Sequence, residues 1–208
     1  MALAVKAPHV VIVKKDLPVK NLTDLIEYAK QNPGKINYAT SGRGSIQHIG
    51  TEQMAQLGGV KMVHVVYRGA GPAMNDLLTG IIDLIVTTPP AVVGHVQAGS
   101  VKAIAMASKT RHPMLPDIPT TAEAGLPGFE LDAWFGIYAP AGTPQPVIER
   151  LAAEIETIVK SSEFKRRTEE SGTYASFMGP AELAEFTNTE LAYWSKVIKS
   201  LGITAEQQ

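Results

Sequence analysis

Three times in succession, between residues 36 and 106, a short apolar run ends in a tight turn of small residues that leads into a helix-forming segment. The turns are Thr40-Ser41-Gly42-Arg43-Gly44-Ser45, Tyr67-Arg68-Gly69-Ala70-Gly71-Pro72 and Val86-Thr87-Thr88-Pro89-Pro90. Each leaves backbone N–H groups at a helix start without an intrahelical partner, and the helix dipole makes that end partly positive. Parallel strands would bring all three turns to one edge of one sheet, where open α/β folds bind ligands. A cluster of this kind suits a small anion such as a carboxylate. No residue beside the turns is equipped to break a bond, so the pattern reads as a binder.

The rest of the chain follows the same grammar. Residues 9–14 read as a buried strand, and Asn21 caps a helix over 21–31 that Pro33-Gly34 stops. Strands are expected at 36–40, 61–66, 82–86 and 101–106, with helices at 45–57, 72–79 and 90–98 between them. Alternation of this kind means βαβ units and a mainly parallel sheet in an α/β fold. A Pro-rich connection at 111–128 then leads away. Beyond it come a strand at 134–139, a helix at 145–160, a short helix near 163–171, a strand at 174–177 and a last helix at 180–200. The stripe Val147, Leu151, Ile155 and Ile158 is expected to face inward, as is the row from Leu183 to Leu201. These late helices have only one short strand of the same segment to cover, so a partner surface is expected from elsewhere.

Composition closes off several function classes. A net charge of -1 over 208 residues leaves no basic stripe for nucleic acid, and Lys165-Arg166-Arg167 is offset by Glu169 and Glu170. Cysteine is absent, which removes disulfides, thiolate nucleophiles and Cys-ligated metals. The five histidines show no metal-ligand spacing; neither metal nor cofactor is expected. No apolar run approaches the roughly 20 residues that span a bilayer, and residues 1–6 lack the pattern of a secretory signal.

The candidate ligand-binding residues are Ser41, Gly42, Gly44, Ser45 and His48 at the first turn, Arg68, Gly69, Ala70 and Gly71 at the second, and Thr87 and Thr88 at the third. Each has a plainer role as well. Ser45 commonly caps a helix and nothing more, Thr87 and Thr88 can cap before the prolines, and Arg68 can be a solvated surface arginine. Pro72 is expected at the first helical position. Ser45 and His48, three apart, resemble a nucleophile and base, but the sequence names no orienting acid: Asp83 begins its strand and Asp76 lies inside its helix. His48 reads as a packing residue behind the turn. Gly42 and Gly44 imitate a dinucleotide fingerprint, yet Gln47 replaces the third glycine and no ribose-binding acid follows. Trp134 and Phe135 read as core in preference to cleft lining.

The chain also resembles, almost end to end, the substrate-binding proteins of tripartite tricarboxylate transporters, the Bug family. The matching stretches run in order: Ala7-Pro8-His9-Val10-Val11-Ile12-Val13, Asn32-Pro33-Gly34-Lys35-Ile36-Asn37-Tyr38-Ala39, Ser41-Gly42-Arg43-Gly44-Ser45 with His48, and His64-Val65-Val66-Tyr67-Arg68-Gly69 with Pro72-Ala73. They continue through Leu115-Pro116-Asp117-Ile118-Pro119-Thr120, Glu123-Ala124-Gly125-Leu126-Pro127-Gly128 and Trp134-Phe135-Gly136 to Ala139-Pro140-Ala141-Gly142-Thr143-Pro144. The resemblance implies a periplasmic binding protein of the second type, two lobes joined by crossing strands at 9–14 and 134–139. Residues 14–133 would form a complete second lobe, and 1–13 with 134–208 the crossovers and C-terminal remainder of the first. It further implies a small carboxylate ligand, membrane transporter subunits as partners, a periplasmic location, no catalysis, and a first lobe whose N-terminal part this chain lacks. Self-association through the incomplete lobe is a further expectation. Two rival readings are a ligand-sensing domain of a transcription regulator and a nucleotide-dependent enzyme built on the Gly42/Gly44 turn.

Overall fold

The computed structural model describes residues 1–204 and falls into two compact units. Unit 2 holds Pro8–Leu131 and the chain from Val197 onward; unit 1 joins Met1–Ala7 to Asp132–Lys196. One long strand, β1 (Ala2–Lys14), contributes its first half to unit 1 and its second to unit 2. It begins seven residues before the expected strand at 9–14. The apolar run Ala2-Leu3-Ala4-Val5 pairs with a strand of its own in unit 1, which supplies the reason.

In unit 2, β1 is joined by β2 (Asn37–Thr40), β3 (Val63–Val66), β4 (Leu84–Thr87) and β5 (Val101–Ala107) in the order β3-β2-β4-β1-β5. β2 is parallel to β3 and β4, and β1 is antiparallel to both β4 and β5. The sheet is therefore mixed, with β2 to β5 running one way and β1 against them. The C-terminal ends of β2, β3 and β4 thus share an edge. β1 reads as a continuous apolar run because it is covered on both faces. Val10 and Ile12 join a buried cluster with Ala73, Met74 and Leu77 of α3 (Ala70–Thr79) and Val93 of α4 (Val93–Gln97). Val11 and Val13 are equally buried and, by strand alternation, face the other way.

Local chemistry sets the helix ends. Asn21 accepts from the Asp24 amide at 2.8 Å to start α1 (Leu22–Gln31), and Ser45 accepts from the His48 amide at 3.2 Å to start α2 (Ile46–Gly58). Gly50 lets α2 pack closely: a Cβ there would stand 2.3 Å from a methyl of Leu131, itself fully buried. The expected helix at 90–98 is instead a 3-10 turn, Pro89–Ala91, followed by α4, because Val92 leaves helical geometry at φ -135°. The Pro-rich connection is tied back to β5, with the Met106 amide donating to Pro119 O and the Thr121 amide to Met106 O, both at 2.8 Å.

In unit 1, the first half of β1 pairs with β6 (Asp132–Ile137) and β7 (Tyr174–Met178). The helices are α5 (Gln145–Lys160), α6 (Ser162–Glu170) and α7 (Pro180–Leu201), whose last turn passes into unit 2. Here the expected burial fails. Val147, Leu151 and Ile158 are 45%, 41% and 56% exposed, while Ala152 and Val159 supply the buried side of α5. Phe135 is 57% exposed, so it is not core. Trp134 is partly covered, its indole N–H donating to Glu190 at 3.2 Å and its ring edge-on to Phe186. The expected inward row on α7 is split, with Leu183 and Val197 buried and Leu191 61% exposed.

Candidate functional site: three turns at one sheet edge

All three turns end parallel strands of unit 2, and together they line one small pocket of about 40 Å³. The first turn contributes Thr40, Ser41 and Gln47, the second Gly69, Ala70 and Ala73, and the third Thr87 with Ile85 and Val86 behind it. That volume holds a carboxylate-sized group and little else, given that a water needs roughly 10–15 Å³ by the same kind of measure. A second cavity of about 340 Å³ shares Ala70, Ala73, Ile85 and Thr87 with it.

The first turn is largely satisfied within itself. Ser45 Oγ donates to Gly42 O at 2.7 Å and accepts from the His48 amide, so its hydroxyl is spent as a cap. The Gly42 amide reaches Thr40 Oγ1 at 3.2 Å, the Gly44 amide donates to His48 Nδ1 at 3.1 Å, and the Ser45 amide goes to Gly42 O. Among the described residues this leaves the amides of Ile46 and Gln47 without a protein acceptor. Ser41 is exposed, its hydroxyl 3.4 Å from Gln47 Oε1.

At the second turn Gly69, at φ 108°, precedes α3 without any side-chain cap. The helix starts at Ala70, so Pro72 is its third residue rather than its first. That matters chemically, because the amides of Gly69, Ala70 and Gly71 all precede the proline and have no acceptor among the described residues. Neither α2 nor α3 carries an acidic residue in its first turn, so no side chain of its own helix neutralises the positive end. Arg68 is exposed and lines neither pocket. At the third turn, Thr88 makes no cap hydrogen bond. The Thr87 side chain, 8% exposed, lines both pockets.

A layer of aromatic rings stiffens the first turn from behind. His48 stacks on His64 at 4.1 Å, and His64 on Tyr38 at 5.1 Å. His64 Nε2 lies 2.6 Å from Thr40 Oγ1, and the Tyr38 hydroxyl donates to Glu52. Burial first, then the neighbouring His48 and Arg43, brings the His64 pKa down to about 4. Burial also lowers that of His48, Arg43 adding to the effect and Glu52 opposing it. The Gly44 N–H occupies His48 Nδ1, and the Ser45 hydroxyl proton points to a carbonyl, so the two side chains are not arranged as base and nucleophile. The nearby acids are engaged elsewhere: Asp83 pairs with Lys14 at 2.6 Å and accepts from the Asn37 amide, and Asp76 accepts from the Tyr67 hydroxyl at 2.6 Å.

Residues 1–203 match the Tripartite tricarboxylate transporter family receptor. The chain belongs to that family. A curated relative, the UPF0065 protein in the tcbD-tcbE intergenic region of Pseudomonas sp. (strain P51), is 36% identical over 208 residues; the alignment covers all of this chain and 62% of the relative. Among solved structures, Rpa4515 of R. palustris with adipate superposes at a TM-score of 0.90 with 33% identity, and the periplasmic binding protein BugD at 0.85 with 33%. Each comparison covers 97% of this chain and 68% of the other. MatC from Rhodopseudomonas palustris with bound malate superposes at 0.83 with 30% identity, over 95% and 68%. The α/β fold with a mixed sheet is thus that of periplasmic binding proteins of this receptor family.

Sequence reasoning passed over Thr40 and Gln47, both of which line the pocket. Gln47 entered only as a missing glycine, although its position in the first turn of a Ser-capped helix was itself a signal. Thr40 is the last residue of β2, where a strand-end hydroxyl meets the turn.

Proposed function

We propose that the three-turn pocket of unit 2 receives the carboxylate of a small organic acid, and that the chain serves as the solute receptor of a tripartite tricarboxylate-type transporter. The observation that carries this reading is the convergence of Gln47, Gly69, Ala70 and Thr87 on one carboxylate-sized pocket beside amides that have no other acceptor. Donors are the amides of Ile46, Gln47, Gly69, Ala70 and Gly71, with the Ser41, Thr87 and Thr88 hydroxyls. Gly42, Gly44, Ser45 and His48 hold the first turn in shape, and Arg68 adds charge at the rim. The adipate and malate bound to two structural neighbours support a carboxylate ligand. The family supports a periplasmic receptor without catalytic chemistry that hands its ligand to membrane subunits; unit 2 corresponds to the second lobe.

Charge-assisted hydrogen bonds contribute about 1.5–3 kcal/mol each, and micromolar affinity needs about 8 kcal/mol. Several of the donors are exposed, where water competes, so this pocket alone binds weakly. Titration of the chain with di- and tricarboxylates, followed by amide NMR shifts, tests the reading. Saturable millimolar shifts at residues 46–47, 69–71 and 87–88 are expected, and their loss in the Gly71→Asp variant, whose carboxylate repels the ligand. Shifts confined to other regions would overturn it.

A further inference from the structure

The carboxylate pocket does not end blindly. Strand alternation puts Ile85 and Thr87 on the same face of β4, the face covered by α3 and α4, and both residues line the small pocket and the 340 Å³ cavity alike. Thr87 is more than nine-tenths buried, its hydroxyl has no hydrogen-bond partner among the described residues, and it stands at the junction. Beyond it the cavity wall is mostly apolar: Ala73, Met74, Ile85 and Ala91. His95 of α4 lines the cavity as well. Its Nδ1 lies 3.4 Å from Ser100 Oγ, which leaves Nε2 available to a ligand. A volume of this size falls at the lower end for small-molecule sites, about 300–1,000 Å³.

We propose that this cavity is the second half of the ligand site, taking the apolar body of a carboxylate whose far end carries a hydrogen-bonding group that meets His95. The inference rests on the carboxylate reading above and adds a substrate class to it. The head group sits on the amides of α3. Thr87 spans head and body, since its methyl faces the apolar wall and its hydroxyl serves the carboxylate. The body lies along Met74 and Ile85. A compact acid fills only the head pocket and leaves the apolar wall wet.

The test is an NMR titration of the whole chain, reading backbone amides and the methyls of Met74 and Ile85, with acetate, hexanoate and 6-hydroxyhexanoate as probes. Hexanoate is expected to bind at least tenfold more tightly than acetate, since burial of two methylenes suffices for about that factor. It should move the Met74 and Ile85 methyls together with the Gly69–Gly71 amides. The 6-hydroxy acid should keep this gain and lose it severalfold in His95→Ala. Ala91→Leu, which fills the cavity from its exposed rim, should bring the hexanoate-to-acetate ratio towards one. If acetate moves the turn amides but hexanoate is no tighter, or leaves both methyls unmoved, the cavity assignment is wrong and the carboxylate reading stands. Methyl shifts without amide shifts also overturn the assignment. If no acid moves the Gly69–Gly71 amides at tens of millimolar, the carboxylate reading fails and takes this inference with it.

Discussion

The central strands of unit 2, β4 and the second half of β1, are covered on both faces and only its edge strand β3 is open, with Val63 and Val66 41% and 52% exposed, whereas unit 1 leaves much of its apolar surface in water. Tyr38, Leu84, Val86 and Ile104 of unit 2 are at most 1% exposed, but Phe135, Tyr138 and Leu191 of unit 1 are 57%, 55% and 61% exposed. All five histidines also lie in unit 2. The difference shows what a binding edge requires. Turns that hold amides open to a ligand must be clamped from behind, and the clamp here is a closed core plus the His48–His64–Tyr38 stack. Unit 1 shows helix stripes of comparable quality in sequence, but a stripe is buried only when a surface lies against it.

The largest expected effect that would break this contrast is a cavity in the unit 2 sheet. Leu84→Ala should cost about 2–5 kcal/mol in urea unfolding, while Leu191→Ala in unit 1 should stay within about 0.5 kcal/mol of the parent. Equal costs would mean that the two units are packed alike.

Acid should act next, and on unit 2. Burial holds the His9 pKa down at about 4, its ring Nδ1 hydrogen-bonded to Leu131 O in partial compensation; His64 is brought to a similar value. In the unfolded chain both titrate near 6.5, so between pH 6.5 and 4 the unfolded state binds more protons. Stability is thus full above pH 6.5 and falls as the pH drops to 4, by roughly 3 kcal/mol for fully buried His9. His64 is only partly buried and adds less. Hydrogen exchange across this range should accelerate in β1, β2 and β5 first; His9→Gln should flatten the profile.

Gly50→Ala sharpens the comparison further. Its Cβ would press on Leu131, which is enclosed on all sides, and a loss of about 1–3 kcal/mol is expected in thermal or urea denaturation. Smallest in stability is Phe135→Ser on the open face of unit 1, expected within about 0.5 kcal/mol. Its readout is a fall in binding of a hydrophobic dye, and dye binding that is unchanged would place the exposed apolar surface elsewhere.

Much of unit 2 was legible in the sequence because its signals are local. Apolar runs of strand length, Asn21 and Ser45 as caps and Pro33-Gly34 as a helix stop each act within a few residues, and they placed the βα units to within one to three residues. What escaped depended on distant partners. Residues 2–8 extend β1 because β6 and β7 lie beside them, and no periodicity in 1–8 reveals that. The burial of α5 was misread because Val147, Leu151 and Ile158 satisfy the helical period whether or not anything covers them. At the site, the positions of the turns were readable but the use of their amides was not: hydroxyl and ring groups of Thr40, Ser45 and His48 take up donors that the sequence leaves open. The start of α3 two residues before Pro72 adds donors in return.

The binding role stands or falls on whether three strand-end turns of one unit form a single carboxylate pocket. The most direct measurement is a crystal structure of this chain soaked with mixed dicarboxylates. Carboxylate density is expected within hydrogen-bonding distance of the Gly69, Ala70 and Gly71 amides, adjoining Gln47 and the Thr87 hydroxyl. Density bound only elsewhere, with those amides occupied by neighbouring protein groups, would contradict it.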